Sequence, residues 1–452
     1  MKVDKTGYFR YGLLGVSILF FCFWFFFDGI RIAVDAGSYE NFSMSREPLY
    51  PVFLAIFRNI FGQEYYAVIG FVQSILWAFS IWYLCDVLYR EMKLNRLSFV
   101  VLLILNFFLC MSTRFLTGRK SFYSLDIGSE GVAIPLFLLF ATELFLYLFK
   151  QKNRNLIGVV IYGILLLSVR KQMYIVVLIM GILFTALWLF RQIKFKKLII
   201  LCLITIATFI GAVLFDIGYN LIIRGEAVRH STDSSALLIN AVFVATEDDA
   251  INIKDEGARE LFLDIIRMKE ENGWGYESAE NGLRNLADHY ADNFDNIAFE
   301  VVNPLFYDFL DRQGIEDYVE RELTFGELND YMFGSVVKDN VFKMLHVFVA
   351  NVIKGACNTV AKDSDMLIPA IVFLYMVFVG MGAYLSKKQK LIPEVWFGIL
   401  TAVCIIINVV AVSAMIFSQS RYMIYNMPLF YCSLYVMARK IYEIILKKRM
   451  NL

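Results

Sequence analysis

Ten apolar runs separated by charged junctions constrain this chain more than any other feature. A helix needs roughly 20 apolar residues to cross the hydrocarbon core of a bilayer. Because 59% of the residues are apolar and only 19% are charged, the chain lies well outside the range of soluble domains. The sequence therefore predicts an all-α polytopic membrane protein with about ten transmembrane helices (10–12). The runs are Tyr11–Phe27, Tyr66–Val87, Leu97–Met111, Gly131–Phe149, Leu156–Val169, Tyr174–Phe190, Leu198–Phe215, Met366–Leu385, Val395–Phe417 and Met423–Val436.

Lysines and arginines at every second junction predict the orientation of these helices. Cytoplasmic loops carry an excess of basic residues, and a basic cluster lies at every second junction, although the second external loop departs from this pattern with Arg119 and Lys120. The sequence therefore predicts that both termini are cytoplasmic. Many short spans and lysine-rich junctions favour a bacterial inner (plasma) membrane. The clusters are Lys2, Lys5 and Arg10; Arg90, Lys93 and Arg96; Lys150, Lys152 and Arg154; Arg191, Lys194, Lys196 and Lys197; Lys387, Lys388 and Lys390; and Lys447, Lys448 and Arg449.

The predicted topology divides the chain into three parts. Residues 1–215 form an N-terminal module of about seven spans with external loops 28–65 and 112–130, and residues 366–452 form a C-terminal module of about three spans. Between them, residues 216–365 carry 29 acidic against 13 basic residues, a net charge of −16.

The acidic segment is predicted to be extracytoplasmic and mostly helical. Leu261, Ile265 and Ile266 share one helical face, whereas Phe342–Val352 is expected to be a separate interfacial or re-entrant helix. The chain lacks a basic patch with interleaved aromatic residues, so membrane lipid is an expected partner and nucleic acid is not.

The first external loop combines a carboxylate with a stiffened entry into a short amphipathic segment. Asp35 is followed by Tyr39 and Arg46, and Pro48-Leu49-Tyr50-Pro51 then leads into the short amphipathic segment 52–62. Proline restricts the backbone at this step, which favours an interfacial helix. A carboxylate held near the membrane surface can serve as a general base.

Other external positions hold an acid and several cations. Cations on that face can neutralise a lipid phosphate. Each of them also fits an ordinary interfacial residue, whose apolar stem lies in the membrane and whose charged end extends into water. Ser129-Glu130 also suits an ordinary helix N-terminus. These positions are Ser129-Glu130, Arg119 and Lys120 in the second loop, Arg170-Lys171 in the turn between the fifth and sixth spans, and Arg421-Tyr422 before the last span.

In these loops the chain resembles the membrane glycosyltransferases of the C-type fold (GT-C), which use polyprenyl-phosphate-linked sugars as donors. The resemblance covers about a third of the chain and implies that Asp35 is the catalytic base. It places Tyr39, Arg46 and Tyr50 in acceptor or loop positioning. It further implies that Glu130 binds acceptor or a divalent metal, so metal dependence stays open and no other cofactor is indicated. The donor-phosphate contacts that it implies are Arg421, Tyr422, Arg170, Lys171, Arg119 and Lys120.

The resemblance predicts an inverting glycosyltransferase that moves a sugar from a polyprenyl-phosphate carrier to an extracytoplasmic glycan or lipid-linked acceptor. A surface-polysaccharide polymerase or ligase is the alternative, because such proteins share many spans, external arginines and a Glu47-Pro48 type step. A lipid-linked glycan transporter ranks third. Transporters are expected to carry ionisable groups within the spans and an internal repeat, whereas these spans are almost free of charge apart from Glu143 and show no repeat.

Overall fold

The computed structural model describes residues 5–116, 118, 121–231, 236–389 and 391–450, and it is overwhelmingly helical. Two short strands, β1 (Arg31–Ile32) and β2 (Asp126–Ile127), form a parallel pair. The α-helices in chain order are α1 (Lys5–Asp28), α2 (Ala36–Glu40), α3 (Leu49–Phe61), α4 (Tyr65–Glu91), α5 (Arg96–Leu116), α6 (Glu130–Lys150), α7 (Asn153–Leu167), α8 (Ile175–Leu189), α9 (Phe195–Arg224), α10 (Ala236–Val244), α11 (Glu256–Glu271), α12 (Leu283–Asn296), α13 (Asn303–Arg312), α14 (Tyr318–Val360), α15 (Ile368–Lys388), α16 (Pro393–Met415), α17 (Ser420–Met423) and α18 (Met427–Met450).

Each predicted apolar run forms a helix, and the chain is an all-α polytopic membrane protein. Eight helical stretches among the described residues are long and apolar enough to cross a membrane: Gly7–Asp28, Leu49–Glu91, Arg96–Leu116, Glu130–Lys150, Lys171–Leu189, Phe195–Arg224, Ile368–Lys388 and Pro393–Met415. Of the other two predicted spans, α7 is apolar but has 15 residues, and α18 carries Arg439, Lys440 and Glu443 in its second half. The number of ten spans therefore stays a prediction.

Several of these helices expose large apolar faces that water would disfavour. On α1, Leu19 and Phe26 are 70% and 80% exposed, and on α9 Leu203 and Ile206 are 60% and 54% exposed. Contiguous apolar surface of this kind is rare on soluble monomers. Lipid solvates such apolar surface better than water does, so these faces contact the membrane.

The chain folds as two compact units. The first contains residues 1–219, 359–407 and 424–452, and the second contains residues 220–358 and 408–423. The predicted N-terminal membrane module and most of the C-terminal one thus belong to the same unit. The acidic segment forms most of the other, together with the last turns of α16 and all of α17.

Helix α6 lies at the centre of the first unit. Most of its side chains are buried, from Glu130 at its start to Leu148 near its end, and it packs against α4, α7 and α8. The helix ends where Gln151 adopts a left-handed conformation and donates its N–H to the carbonyl of Tyr147 at 2.7 Å. A helix that is apolar on all sides is buried among other helices or in lipid, and the burial of α6 shows that its neighbours are helices.

The basic junctions of the first unit meet at one end of its helices. Arg10, in the second turn of α1, pairs with Asp86 near the end of α4 at 2.5 Å. Lys150, the last residue of α6, pairs with Glu91 at 2.7 Å, and Lys197, at the start of α9, donates to Gln151 at 2.9 Å. Successive helices therefore alternate in direction, as the charge pattern requires.

The second unit has its own apolar core, formed mainly by one face of each of its helices. Ile265 and Ile266 on α11 are fully buried, as predicted from their spacing, and so is Phe262. On α12, Leu286 and Tyr290 are buried against the same core. Amphipathic helices with apolar residues three or four apart pack in this way.

Helix α14 differs from expectation. Residues Phe342–Val352 are not a separate element but belong to one continuous helix of 43 residues. Residues 318–360 contain no proline, so every backbone N–H can take part in the helix. The glycines within it, Gly326, Gly334 and Gly355, lower helix stability without ending the helix.

Candidate functional site

A two-residue strand pairing joins the loop after α1 to the loop before α6. The strands β1 and β2 are parallel, with Arg31 opposite Asp126. Parallel strands deliver the residues that follow them to the same edge. Asp35 follows β1, and Glu130 follows β2 at the start of α6. The pairing thus brings the two predicted acidic positions to one end of the first unit.

The carboxylate of Asp35 lies at the surface beside a cation. Its side chain is 40% exposed, and its Oδ1 lies 3.4 Å from Nη2 of Arg46. Ser38 fixes this arrangement: its hydroxyl donates to the backbone carbonyl of Asp35 at 2.7 Å and accepts from Nε of Arg46 at 2.8 Å. A carboxylate that is held in place and reachable from solvent can accept a proton from a bound molecule.

A chain of polar contacts runs from Arg46 to Glu130. The Arg46 guanidinium lies over the Tyr39 ring, 5.0 Å from its centre. The Tyr39 hydroxyl donates to Oγ of Ser129 at 3.0 Å, and Nη1 of Arg170 donates to the same oxygen at 3.1 Å. Arg170 also pairs with Oε1 of Glu130 at 2.8 Å. Three loops therefore meet in one polar cluster, which we call the loop cluster: Tyr39, Arg46, Ser129, Glu130 and Arg170.

The innermost members of the loop cluster are shielded from solvent. The side chains of Glu130 and Arg170 are 5% and 14% exposed. Burial raises the pKa of Tyr39 above its usual range, so its hydroxyl stays neutral and available as a donor. Breaking a buried ion pair leaves an uncompensated charge, which is strongly unfavourable. The pair therefore fixes the position of the Arg170 guanidinium.

Ser129 does not cap α6 with its side chain. It occupies the N-cap position but makes no capping hydrogen bond, because its hydroxyl instead receives hydrogen bonds from Tyr39 and Arg170. The interpretation of Ser129 as a capping side chain is therefore wrong. Glu130 lies in the first turn of α6, where a negative charge also interacts favourably with the helix dipole.

The buried carboxylate of the loop cluster faces a cation of this chain. Within the described part of the chain, no group of three or more His, Cys, Asp and Glu side chains is placed to hold a metal ion. The carboxylate of Glu130 faces the guanidinium of Arg170. The arrangement therefore favours a positioning role for Glu130 toward Arg170.

Gln73 on α4 supports the loops from behind. Its fully buried amide donates to the backbone carbonyls of Ser124 at 3.1 Å and Asp126 at 2.9 Å. It accepts from the Tyr50 hydroxyl at 3.3 Å, and the Tyr50 ring packs edge-on against Tyr39 at 5.0 Å. The predicted positioning residues Tyr39 and Tyr50 are thus connected to the second loop through one glutamine.

The start of α6 approaches α4 closely at Gly131. A Cβ at this position would lie 2.6 Å from the amide atoms of Gln73. The Gly131 carbonyl accepts from Nε1 of Trp77 at 2.8 Å. A side chain at residue 131 would therefore displace the amide that holds the second loop.

Two residues beside the loop cluster escaped the sequence analysis. Gln73 is a polar residue within an apolar run, and such residues are often functional in membrane helices. Tyr425 is fully buried, packs edge-on against Phe137 at 5.8 Å, and lies near enough to interact electrostatically with Arg170 and Glu130. The sequence feature that indicates Tyr425 is its position in the predicted last span, just after Arg421-Tyr422.

The other predicted cations have different surroundings. Lys171 begins the 3₁₀ turn Lys171–Tyr174, directly after Arg170. Arg119 and Lys120 lie outside the described residues. A further cation that was not among the predicted contacts, Arg114 at the end of α5, pairs with Asp28 at 3.0 Å and lies over the Trp24 ring at 4.7 Å.

Arg421 and Tyr422 belong to the second unit. Both lie on α17, and Nη2 of Arg421 donates to the Tyr422 hydroxyl at 2.8 Å while its guanidinium covers the same ring. The backbone carbonyl of Tyr422 accepts from Nδ2 of Asn408 at 2.9 Å. The two predicted phosphate contacts are therefore in contact with each other.

Comparisons of the chain with protein-family models, with curated proteins and with solved structures find no match.

Proposed function

We propose that this multi-pass membrane protein is a glycosyltransferase that moves a sugar from a polyprenyl-phosphate carrier to a glycan or lipid-linked acceptor. The observation that supports it is the meeting of three loops at one end of the helices, where an accessible carboxylate, Asp35, is linked through the loop cluster to the buried pair of Glu130 and Arg170. The charge pattern favours an extracytoplasmic position for this end, with both termini in the cytoplasm of a bacterium.

Asp35 is proposed as the general base. The acceptor hydroxyl attacks the anomeric carbon, its proton passes to the Asp35 carboxylate, and the bond from that carbon to the phosphate oxygen breaks with its electron pair on the phosphate. Attack opposite the leaving group inverts the anomeric centre. General-base catalysis by a positioned carboxylate contributes typically 10²–10⁴-fold to the rate. The 40% exposure of Asp35 leaves it reachable by an acceptor.

Arg170 is proposed to stabilise the departing lipid phosphate. Glu130 and Ser129 hold its guanidinium in one position, and cations aimed at developing negative charge are among the most effective catalytic devices. Lys171 adds a second positive charge in the next residue. Arg421, Tyr422, Arg119 and Lys120 keep the donor-phosphate role that the family resemblance implies.

Apolar helix faces would accommodate the polyprenyl chain. The exposed apolar residues of α1 and α9 offer a lipid-facing surface in the first unit, the unit that also holds the loop cluster. A carrier that is anchored in the bilayer needs no soluble donor site. Enzyme and donor would then meet in the plane of the membrane.

The proposal is tested by transfer of radiolabelled sugar from a panel of polyprenyl-phosphate sugars in membranes that contain the protein. We expect labelled acceptor with at least one donor, and none in membranes that lack the protein. If no donor in the panel is used, while lipid-linked repeat units are joined into longer glycan, the polymerase or ligase alternative replaces the proposal. Movement of the lipid-linked glycan across vesicles without transfer would instead indicate a transporter.

The roles of Arg170 and Glu130 are separated by their kinetic effects. Arg170→Gln removes the proposed phosphate contact and should lower kcat/KM by about 10²-fold, the usual effect of removing one charged stabilising group. Glu130→Gln keeps Arg170 but loosens its position, so its effect should be smaller. Lys152→Gln, at the junction between α6 and α7, is the matched control and should keep wild-type activity. Equal activity of Arg170→Gln and wild type would contradict the assignment.

A further inference from the structure

The second unit contains a cavity of about 270 Å³ that the proposed reaction does not use. One wall is a stripe of α14 in which Val337, Val341, Met344 and Phe348 recur at intervals of four, three and four residues. That spacing places them on one side of the helix. Ser413 and Ala414, in the last turn of α16, form part of the opposite wall. The lining is therefore largely apolar.

One polar side chain in this lining has its hydrogen-bonding groups unsatisfied. Asn351 continues the α14 stripe three residues after Phe348 and is 1% exposed, and neither its Oδ1 nor its Nδ2 has a hydrogen-bond partner. The other asparagine of the lining is satisfied: Asn240 donates to the carbonyl of Ala414 at 3.0 Å and accepts from the Tyr290 hydroxyl. Buried carboxamides without partners are rare in folded proteins. Asn351 thus marks the point where a bound molecule would place a polar group.

The surroundings of the cavity indicate which molecule that is. Val341 and Leu345, which line it, are 48% and 52% exposed, and the adjacent Phe342 is 87% exposed. The opposite wall is the end of an apolar helix long enough to cross a membrane. The abundant apolar molecule at such a place is a membrane lipid. A free polar metabolite would find no charged lining residue, and of the two lining carboxamides that of Asn240 already has hydrogen-bond partners.

We propose that this cavity holds an acyl chain of a membrane phospholipid, with the ester carbonyl of that chain accepting a hydrogen bond from Nδ2 of Asn351. The apolar stripe of α14 contacts the chain, and the exposed residues at its edge contact neighbouring lipids. The second unit would thereby be tied to the membrane surface by a bound lipid. This inference does not depend on the transferase proposal, because it concerns none of the loop-cluster residues.

The test is photocrosslinking of the full protein in vesicles that contain phosphatidylcholine with a diazirine in its acyl chain, followed by mapping of the labelled peptides. We expect labelling of the cavity-lining residues Met344 and Phe348 of α14 in the wild type. Val341→Trp fills the cavity from its edge and should abolish this labelling. Val349→Trp is the matched control, because Val349 is 40% exposed on the same helix and does not line the cavity.

A second variant tests the polar contact. Asn351→Leu keeps the side-chain size but removes the donor, and it should lower labelling of α14 about fivefold, the effect of one lost hydrogen bond. Unchanged labelling in this variant would overturn the ester contact. Equal labelling in Val341→Trp and Val349→Trp would overturn the cavity as the lipid site. Absence of labelling, with a peptide recovered in the cavity, would assign it to a protein partner instead.

Discussion

Replacing Gln73 with leucine tests whether this one side chain holds the second loop against α4. The substitution keeps the approximate volume but removes the donors to the carbonyls of Ser124 and Asp126 and the acceptor for the Tyr50 hydroxyl. The Asp126 carbonyl still accepts a hydrogen bond from the N–H of Gly128 at 3.0 Å, so it does not lose all its partners. The Ser124 carbonyl loses its side-chain partner in a fully buried position.

The expected loss of stability in Gln73→Leu follows from these three contacts. A buried carbonyl left without a partner costs about 1–3 kcal/mol, and each of the two weaker losses costs about 0.5–1.5 kcal/mol. The free energy of unfolding should therefore fall by about 2–6 kcal/mol, and most of that effect should arise in the loop 121–129. Stability is measured by titrating purified protein in dodecylmaltoside with sodium dodecyl sulfate and following tryptophan fluorescence.

The matched control is Gln63→Leu, at an exposed glutamine just before α4. An exposed substitution of this kind changes stability by about 0.5 kcal/mol or less. If Gln73→Leu changed the free energy of unfolding no more than this control does, the glutamine would not hold the loop. The structural basis of the loop cluster would then have to be sought elsewhere.

Three further substitutions probe other contacts of the fold. Gly131→Ala should lower the melting temperature and sugar transfer together, because the new Cβ would lie 2.6 Å from the Gln73 amide; unchanged melting and transfer would contradict this close approach. Phe262→Ala in the core of the second unit should lower the free energy of unfolding by about 3–5 kcal/mol, measured by the same titration; a loss below about 1 kcal/mol would contradict its burial. Burial lowers the pKa of Lys269, whose ammonium donates to the Ala245 carbonyl at 2.6 Å, so between that pKa and the ordinary value of about 10.4 the unfolded state binds more protons. The free energy of unfolding of the wild type should therefore rise with pH across this window relative to Lys269→Met, and parallel curves for the two proteins would contradict the lowered pKa.

The membrane helices were the most predictable part of the structure. In a bilayer each backbone N–H and C=O group needs a hydrogen-bond partner within the segment itself. A sufficiently long apolar run therefore forms a helix. Helices α1, α4 and α5 follow the predicted runs, each extending beyond the predicted limits by a few residues. The extensions are polar at their ends, where apolar patterning gives no signal.

The contacts between loops were only partly predictable. Alternation of the spans implied that residues Asp35, Glu130 and Arg170 lie at one end, and the structure brings all three to the same end. The strand pairing and the Gln73 hydrogen bonds were not foreseen. They join a side chain or a two-residue strand to backbone far away in sequence, and such contacts leave no local periodicity.

The long helix α14 shows where local patterning misleads. Its first half carries many charged residues and its second half is more apolar, so the sequence suggested a boundary near Phe342. Helix formation responds to backbone continuity as well as to polarity, and the charged half continues directly into the apolar half. A change of composition within a helix-compatible stretch is therefore weak evidence for a helix end.

The most direct test of the central claim compares sugar transfer by Asp35→Asn with transfer by the wild type, in membranes with matched amounts of folded protein. Glu64→Gln is the control, since it neutralises an exposed carboxylate just before α4. The account predicts that Asp35→Asn lowers kcat by at least about 10²-fold, as loss of a general base does, while donor binding and the control stay at wild-type levels. Wild-type transfer by Asp35→Asn would contradict the claim that this carboxylate is the catalytic base.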